Sequence, residues 1–409
     1  MEELSELTKL KILILEKGVN FSPITMFNGI PNIDNYKVKT INKQPVSNGR
    51  EVFDISKDES LIPSEILLKH NNKESLVKCR YQKDSPVKLI YKDGQLRLEI
   101  NDKTSVVKCE LIPKYVFMKI KITDDSKLED YIDIVGMDRI SILLFEGCYN
   151  WICGKQCKFC DLHPKKETDK VLKPSLNTLY KFSSVEDWWN HHKKDYFKNV
   201  KKCLDIILKF NKLKHNHLVI MAGNLINSTT TWNCLLDLTK FLYENYDMSL
   251  FDSYVNVCPH PDIDGLKRLK KYGIKQVQYN LEVTNQEIFS KICPGKTDYQ
   301  TFKNKLFEAV KIFGRGKVRS NIVFGLQDYN ELLSDAEFFA QKGVVIDYSV
   351  FQPKKGTPLE NQPSPEIKQV VDFTENLARI YKKYNYKPIY CSVSSRSSII
   401  NEVFSDIIE

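Results

Sequence analysis

The chain has 409 residues and a formal net charge of +9, with 42% hydrophobic and 11% aromatic residues, a composition that excludes a disordered protein. Its 11 cysteines are odd in number and unevenly spread, which excludes a disulfide framework and favours a reducing compartment. No apolar run approaches the ~18 residues of a membrane span, and the acidic start MEELSELTKL lacks the basic residues of a signal peptide, so we expect a cytoplasmic protein without membrane contact.

The positive charge is dispersed along the chain. The densest basic run, HHKKDYFKNVKK from His191, is interrupted by Asp195 and by aromatic residues, as expected for a solvated helix face. A nucleic-acid interface needs basic residues collected on one surface. Binding of RNA or DNA is therefore kept only as a minor alternative.

The first third of the chain predicts a small α+β domain. Residues 2–17 show leucines at helical spacing among charges. Strand patterns follow from Val77 in the segments VKCRY, VKLIYKDGQLRLEI, VVKCEL and YVFMKIKI, and Asp93-Gly94 within the second segment predicts a two-residue hairpin turn. We predict an N-terminal domain over 1–135, whose role the sequence does not reveal.

Residues 136–409 alternate between apolar strand patterns and amphipathic helices, which is typical of βα units. The predicted strands are 139–145, 217–223, 253–258, 275–282, 317–326, 344–351 and 387–393. The predicted helices are 184–210, 231–246, 262–272, 298–313, 329–342 and 364–384. These units favour an α/β fold, a partial parallel (βα)6–7 TIM-type barrel, in which chemistry gathers at the carboxyl ends of the strands.

A cysteine-rich loop, EGCYNWICGKQCKFCDLHP from Glu146, follows the first barrel strand. Cys153, Cys157 and Cys160 have the spacing C-x3-C-x2-C, and Cys148 offers C-x8-C-x2-C with the same last pair. Three thiolates on one loop can bind three irons of a [4Fe–4S] cluster and leave the fourth iron open. An open iron is a binding site for a further ligand.

This loop, with an aromatic residue, Phe159, before its last cysteine and a βα barrel around it, resembles that of the radical S-adenosylmethionine (SAM) superfamily. The resemblance implies that the open iron binds the amino and carboxylate groups of SAM. Reduction of the cluster, by an electron donor such as flavodoxin or ferredoxin, would then cleave SAM to methionine and a 5′-deoxyadenosyl radical. That radical would abstract hydrogen from a substrate, for which we expect a small molecule.

Later segments are similar to those of the biotin-synthase-related branch of this superfamily. YNLEVT implies that Asn280 and Glu282 contact the SAM ribose, and a carboxylate suits a diol because both hydroxyls can donate to it. NIVFGLQD implies that Ile322 and Gly325 pack against adenine. FQPKKGTPLEN resembles the Gly-Thr-Pro-Leu turn of biotin synthase.

Two segments depart from the family pattern. Gly223 and Asn224 end the segment MAGN, where the superfamily has Gly-Gly-Glu for the SAM amino group. Cys258 falls where biotin synthase has a ligand of its second cluster, but Arg319 stands where another cysteine is expected. A sulfur-donating second cluster is therefore not predicted.

The identity of the third cluster ligand is left open by the sequence. The usual spacing points to Cys153, whose short loop closes at a lower entropic cost. Some uncharacterised biotin-synthase-related proteins use G-C-x8-C-K-F-C, which matches this chain from Gly147 and points to Cys148. Cys157 and Cys160 are ligands in both cases.

Other interpretations of these residues remain. A structural zinc on Cys153, Cys157, Cys160 and His163 would make the chain a non-catalytic module that docks RNA or a protein partner. The radical chemistry could also act on a tRNA or peptide held by the N-terminal domain.

Three side chains near strand ends are further candidates. His260, in CPHPD after the third strand, is a candidate to bind substrate or transfer a proton, although such a histidine also makes ordinary loop hydrogen bonds. Cys258 and Cys391 are candidates for further ligands or hydrogen donors, against the alternative of buried, inert thiols.

Overall fold

The computed structural model describes residues 4–21, 30, 32–40, 61–92, 95–162, 173–354, 356–389 and 394–408. The chain forms two compact units. The first comprises Met1–Tyr115, Val323–Glu337 and Tyr348–Glu409, and the second comprises Val116–Ile322 and Phe338–Asp347. The predicted boundary between residues 135 and 136 does not coincide with this grouping, and a functional division at that point stays a prediction.

The N-terminal part of the first unit begins with helix α1 (Glu6–Lys17), whose first turn is capped where Thr8 N–H donates to Ser5 Oγ at 3.3 Å. The strands that follow are β1 (Val38–Thr40), β2 (Leu61–Pro63), β3 (Glu65–His70), β4 (Lys73–Lys78), β5 (Val87–Lys92), β6 (Gln95–Ile100), β7 (Lys103–Thr104) and β8 (Lys108–Leu111). Strand β3 pairs antiparallel with β4 and β8, and β6 pairs antiparallel with β5 and β7. Lys92 pairs with Gln95, so the predicted hairpin forms, while Asp93 and Gly94 themselves lie outside the described residues.

The predicted strand over 115–122 is wrong in its first half. Val116–Lys119 forms a 3-10 turn, and only β9 (Lys121–Thr123) is extended, paired with β10 (Ser126–Lys127). The neighbours Phe117 and Met118 are both buried, whereas Val116 is exposed. This pattern does not have the alternation of a strand, and it belongs to the second unit.

A seven-stranded sheet has its strands in chain order. They are β11 (Ile132–Val135), β12 (Arg139–Leu143), β13 (His217–Met221), β14 (Asp252–Asn256), β15 (Gln276–Gln278), β16 (Val318–Phe324) and β17 (Val344–Val350). Strand β11 pairs antiparallel with β12, whereas the pairs from β12 to β16 are parallel. Leu218, Val219 and Ile220 are consecutive and fully buried, as is typical of parallel strands covered on both faces.

Helices follow the strands as predicted. After α1 they are α2 (Tyr149–Ile152), α3 (Val185–Phe210), α4 (Ser228–Asn245), α5 (Ile263–Lys271), α6 (Gln286–Ile292), α7 (Tyr299–Phe313), α8 (Tyr329–Gln341), α9 (Ile367–Tyr384) and α10 (Ile400–Ile407). Gly273 follows α5 with a φ of 83°, a left-handed ending that is typical of a glycine after a helix. The predicted fold class, a partial parallel βα barrel, is confirmed.

Some elements differ from the expectation. Among the elements that the sequence analysis missed are β1, β2, β3, β11, α2, α6 and α10. The predicted strand over 387–393 falls mostly on 390–393, outside the described residues, and 387–389 have no regular secondary structure. Cys391 lies in that undescribed segment. In the part of the chain that is described, no helix is both long and apolar enough to cross a membrane.

Candidate functional site

The strand ends of the second unit open onto a cavity of about 730 Å³. Its wall contains residues that directly follow four successive strands, namely Cys148 after β12, Gly223 and Asn224 after β13, Cys258 and His260 after β14, and Asn280 and Glu282 after β15. Helix α7 adds Thr301, Phe302 and Lys305. The cavity therefore lies where a βα barrel carries its chemistry.

The cysteine loop presents three of its four thiols to this cavity. Cys148, Cys157 and Cys160 line it, whereas Cys153 is exposed and does not. Cys148 immediately precedes the short helix α2 and Cys153 immediately follows it, so one turn of helix separates the two candidate ligands. The Cys153 thiol lies 3.7 Å from the Asn150 carbonyl oxygen.

Cys148 is held against the end of β13. Its sulfur accepts a hydrogen bond from Asn224 N–H at 3.3 Å, and Tyr149 N–H donates to Asn224 O at 2.7 Å. A Cβ atom added to Gly223 would lie 2.3 Å from Gly147 O and 2.8 Å from Cys148 Cβ. Only glycine permits this approach of the strand end to the loop, which gives the segment MAGN a packing role as well as its predicted binding role.

A second segment, Ile292–Lys296, packs on the same loop. Lys158 N–H donates to Ile292 O at 2.9 Å, and a Cβ at Gly295 would lie 2.4 Å from Lys155 O. The thiol of Cys293 hydrogen-bonds that of Cys157, and this contact together with burial raises the pKa of Cys157 well above its usual value. The loop is therefore enclosed from two directions.

The sequence analysis missed Lys296, which lies in the cavity wall. Its ammonium donates to Glu282 Oε1 at 2.8 Å and to Asn280 O at 2.5 Å, and it lies 5.6 Å from the centre of the Phe302 ring. Burial opposes its charge and is the largest single influence, but the Glu282 carboxylate and the sulfurs of Cys293 and Cys157 together outweigh it, so the pKa of Lys296 is raised. Little in the sequence indicated that Lys296 lies at the site, because the segment CPGK is typical of an ordinary turn.

Asn280 and Glu282, the predicted ribose contacts, both reach the cavity. Asn280 Oδ1 accepts from Asn321 N–H at 3.1 Å and from Gln278 Nε2 at 2.9 Å. Glu282 has a φ of 71°, which is uncommon for a residue with a side chain. A bridge between Glu282 and Ile322 ties this strained position to β16.

His260 is held from both sides. Its Nε2 lies 3.2 Å from Glu308 Oε2, and its Nδ1 lies 3.3 Å from the Tyr279 hydroxyl. Burial, with a smaller effect of Lys305, lowers the pKa of His260 despite the carboxylate of Glu308. The imidazole is therefore neutral near pH 7, and both nitrogens are engaged, so its catalytic role stays a prediction.

Three predicted SAM contacts are not part of the cavity wall as described. Phe159 and Ile322 do not line it, and Ile322 is fully buried in β16. Gly325 belongs to the first unit, where its φ of 106° places it against Pro365 of the same unit. Their contacts with adenine or with a cluster stay predictions.

The described residues form neither the predicted zinc site nor a closed metal site on the other thiols of the loop. In that part of the chain, no group of three or more His, Cys, Asp and Glu side chains is arranged to hold one metal ion. The fourth predicted zinc ligand, His163, lies outside the described residues. Arg319, which replaces an expected cysteine, forms a buried bidentate ion pair with Asp347, with both N–O distances at 2.6 Å.

No protein-family model matches the chain. It is 33% identical over 268 residues to a bacteriochlorophyllide c C-7(1)-hydroxylase from Chlorobaculum limnaeum, over 61% of this chain and 62% of the relative. It is 26% identical over 224 residues to a biotin synthase from Clostridium botulinum, over 54% of this chain and 60% of the relative. The chain thus spans less than two thirds of the length of these relatives.

Two solved structures align with the chain at lower similarity. HydG, a maturase of the [FeFe]-hydrogenase, aligns with a TM-score of 0.42 and 18% identity over 68% of this chain and 57% of that one. Methylornithine synthase (PylB) aligns with a TM-score of 0.39 and 15% identity over 61% and 63% of the two chains. The sequence relatives support the predicted resemblance to the biotin-synthase-related branch of the radical SAM superfamily.

Proposed function

We propose that this chain is a radical SAM enzyme that uses a [4Fe–4S] cluster on Cys148, Cys157 and Cys160 to cleave SAM reductively and abstract hydrogen from a small-molecule substrate. The observation that carries the proposal is the convergence of these three thiols on one cavity at the strand ends. Three thiolates leave one iron of a cubane cluster without a protein ligand. The cluster and SAM, when bound, would supply the electron and the radical.

The residues around the loop fit such a cluster. Asn224 N–H donates to the sulfur of Cys148, and a donor of this kind stabilises a thiolate. Gly223 leaves room for the loop against β13. The ammonium of Lys296 acts on the thiol of Cys157 in the same sense, since a nearby positive charge favours the thiolate.

Asn280, Glu282 and Lys296 supply polar groups for the cofactor. The Glu282 carboxylate can accept from two hydroxyls of a ribose, and Lys296 holds that carboxylate in place at 2.8 Å. The strained backbone of Glu282 is consistent with a side chain aimed by its surroundings. These residues bind and orient the cofactor and take no proton from it.

The rest of the cavity is suited to a small organic substrate. Its volume falls within the ~300–1,000 Å³ of small-molecule sites. Asn227, His260 and Lys305 provide polar groups, and Met221, Val257 and Phe302 provide apolar surface. A substrate that fills the cavity would displace water from it and so protect a carbon radical from side reactions. We expect a flavodoxin or ferredoxin to supply the electron.

The test is anaerobic reconstitution with iron and sulfide, reduction, addition of SAM, and quantification of 5′-deoxyadenosine and of bound iron. We expect wild type to bind about four irons and to release 5′-deoxyadenosine slowly. Cys157→Ala and Cys148→Ala should lose both properties. Cys153→Ala, a matched removal of a thiol from the same loop, should keep both because Cys153 is exposed and lies off the cavity wall.

Two results would contradict the proposal. If Cys153→Ala is inactive and Cys148→Ala is active, the cluster uses the other spacing and the loop rearranges on binding it. If wild type binds one zinc and forms no 5′-deoxyadenosine, the loop is a structural metal site.

A further inference from the structure

A fourth thiol lines the cavity beyond the three assigned to the cluster. Cys258 follows β14 and lies in the same wall as Cys148 and Cys157. Its side chain is partly accessible, whereas Cys203 and Cys234 are buried in helices α3 and α4. The hydroxyl of Thr231 hydrogen-bonds the Cys258 thiol.

The backbone that carries this thiol is held by two hydrogen bonds. Trp232 Nε1 donates to Cys258 O at 3.0 Å, and Val257 N–H donates to Gln278 O at 3.3 Å. Two residues further on, His260 is held by hydrogen bonds to the side chains of Glu308 and Tyr279. A reacting side chain needs this kind of support, since its position must hold to within about 0.5 Å.

The thiol keeps its proton at neutral pH. Burial raises the pKa of Cys258 to about 12, so at pH 7 the S–H form predominates. A nucleophile would act as the thiolate. The S–H bond of the thiol is weaker than most C–H bonds, so the thiol can donate a hydrogen atom to a carbon radical.

We propose that Cys258 is a catalytic hydrogen-atom donor, which quenches the substrate radical after hydrogen has been abstracted from it. This inference rests on the proposed function. The S–H bond breaks homolytically, its hydrogen atom forms a new C–H bond on the substrate, and Cys258 becomes a thiyl radical. One electron from the flavodoxin or ferredoxin class of donor and one proton from water restore the thiol.

The proposal fixes the class of reaction. One hydrogen atom leaves the substrate and one returns to it, so the product has the same atoms as the substrate. The overall reaction at the substrate is an isomerisation, such as the inversion of a carbon centre or a rearrangement.

A substrate-free experiment tests the proposal. The reconstituted enzyme is reduced with dithionite in D₂O without added thiols and is given SAM, and the deuterium content of 5′-deoxyadenosine is measured by mass spectrometry. We expect wild type to form singly deuterated 5′-deoxyadenosine, because the exchanged S–D group of Cys258 donates its deuterium. Cys258→Ala and Cys258→Ser should lose this deuterium, since a serine O–H bond is too strong to be cleaved. Cys234→Ala, the removal of a thiol remote from the cavity, should behave as wild type.

The outcomes separate the two proposals. If wild type forms no 5′-deoxyadenosine, the proposed function fails. If wild type and Cys258→Ala form it with equal deuterium content, Cys258 is not the donor, although the proposed function stands. If Cys258→Ala binds less iron than wild type, Cys258 is a cluster ligand and the inference is overturned.

The cluster-free protein provides a second measurement that is independent of activity. Modification of each cysteine by a small neutral alkylating reagent is followed by peptide mass spectrometry between pH 7 and pH 9. We expect Cys258 to be modified at a rate that rises about tenfold per pH unit, because only the thiolate reacts, and Cys234 to remain unmodified. A Cys258 that resists modification as Cys234 does would show that its thiol does not face the cavity, which would also overturn the inference.

Discussion

A buried lysine–glutamate pair from each unit can be compared, Lys11 with Glu402 in the first and Lys296 with Glu282 in the second, and the two pairs differ in what surrounds them. In the first unit, Lys11 donates to Glu402 Oε1 at 2.7 Å, to Ser395 O at 2.5 Å and to Ser394 Oγ at 3.2 Å. The Lys11 side chain is 0% exposed. All three protons of this ammonium are used, and burial lowers its pKa.

The pair in the second unit is open to the cavity. Lys296 and Glu282 have side chains that are 14% and 12% exposed, and both line the cavity wall. The carboxylate of Glu282 raises the pKa of Lys296 in spite of burial. A buried ion pair beside a cavity is a candidate binding site, because a ligand can reach it. A buried ion pair whose ammonium donates all its protons to its own chain stabilises the fold instead.

The largest effect is expected from breaking the Lys11–Glu402 pair. Lys11→Met leaves Glu402 charged and buried, and Glu402 Oε2 already has no partner among the described residues. We expect the free energy of unfolding to fall by about 3–5 kcal/mol, measured by urea denaturation of the cluster-free protein. The double variant Lys11→Met/Glu402→Leu should recover most of that loss, because it removes both charges. If the double variant is as unstable as the single one, the pair is not the cause.

A smaller effect on stability and a larger one on SAM cleavage are expected from Lys296→Gln. Water in the cavity can solvate Glu282, so we expect a loss of only about 1–2 kcal/mol of unfolding free energy. Formation of 5′-deoxyadenosine should fall by about 10-fold or more, since a charge-assisted hydrogen bond is lost. Lys296→Arg, which keeps the charge, should restore part of the activity. A variant that loses stability and keeps activity would place Lys296 with Lys11 as a structural residue.

The smallest effect is expected from replacing His260, which should change how the free energy of unfolding depends on pH. Its pKa is lower in the folded state than the ordinary value of about 6.5 in the unfolded state, so the unfolded state binds more protons between the two values. The contribution of His260 to the free energy of unfolding is complete above about pH 6.5. As the pH falls below that value the contribution is lost, by at most about 1.4 kcal/mol per pH unit. His260→Gln should flatten the unfolding free energy between pH 5 and pH 6.5 relative to wild type, as urea titrations at several pH values would show. Equal slopes for the two proteins would mean that His260 is not held neutral by its surroundings.

Much of the fold follows from local sequence patterns. The α3 and α7 ranges lie within one residue of the predicted helices at both ends, because each has a long apolar face and a capping side chain, Ser184 or Asp298. Strand β11 escaped prediction, since its four residues are too short to show a period. Val116–Lys119 was misread because apolar residues in a short run do not distinguish a strand from a tight turn.

The candidate site was predictable only in part. The sequence identified Cys157, Cys160, Asn280 and Glu282 as residues at strand ends or on the loop, and the structure brings all four to one cavity. It could not choose between Cys148 and Cys153, because that choice depends on how helix α2 turns between them. Lys296 was missed for a related reason, since its contact with Glu282 joins two segments that no local pattern links.

The close approach at Gly223 has a consequence for how this cavity can change in evolution. Backbone atoms, rather than side chains, set the distance between Gly223 and the loop at Gly147, so substitutions there cannot widen or narrow that wall. The cavity residues on helices, such as Ser228 on α4 and Thr301 and Lys305 on α7, are not bound by this limit. Divergence in substrate preference is therefore expected at such positions rather than at Gly223 and Gly147.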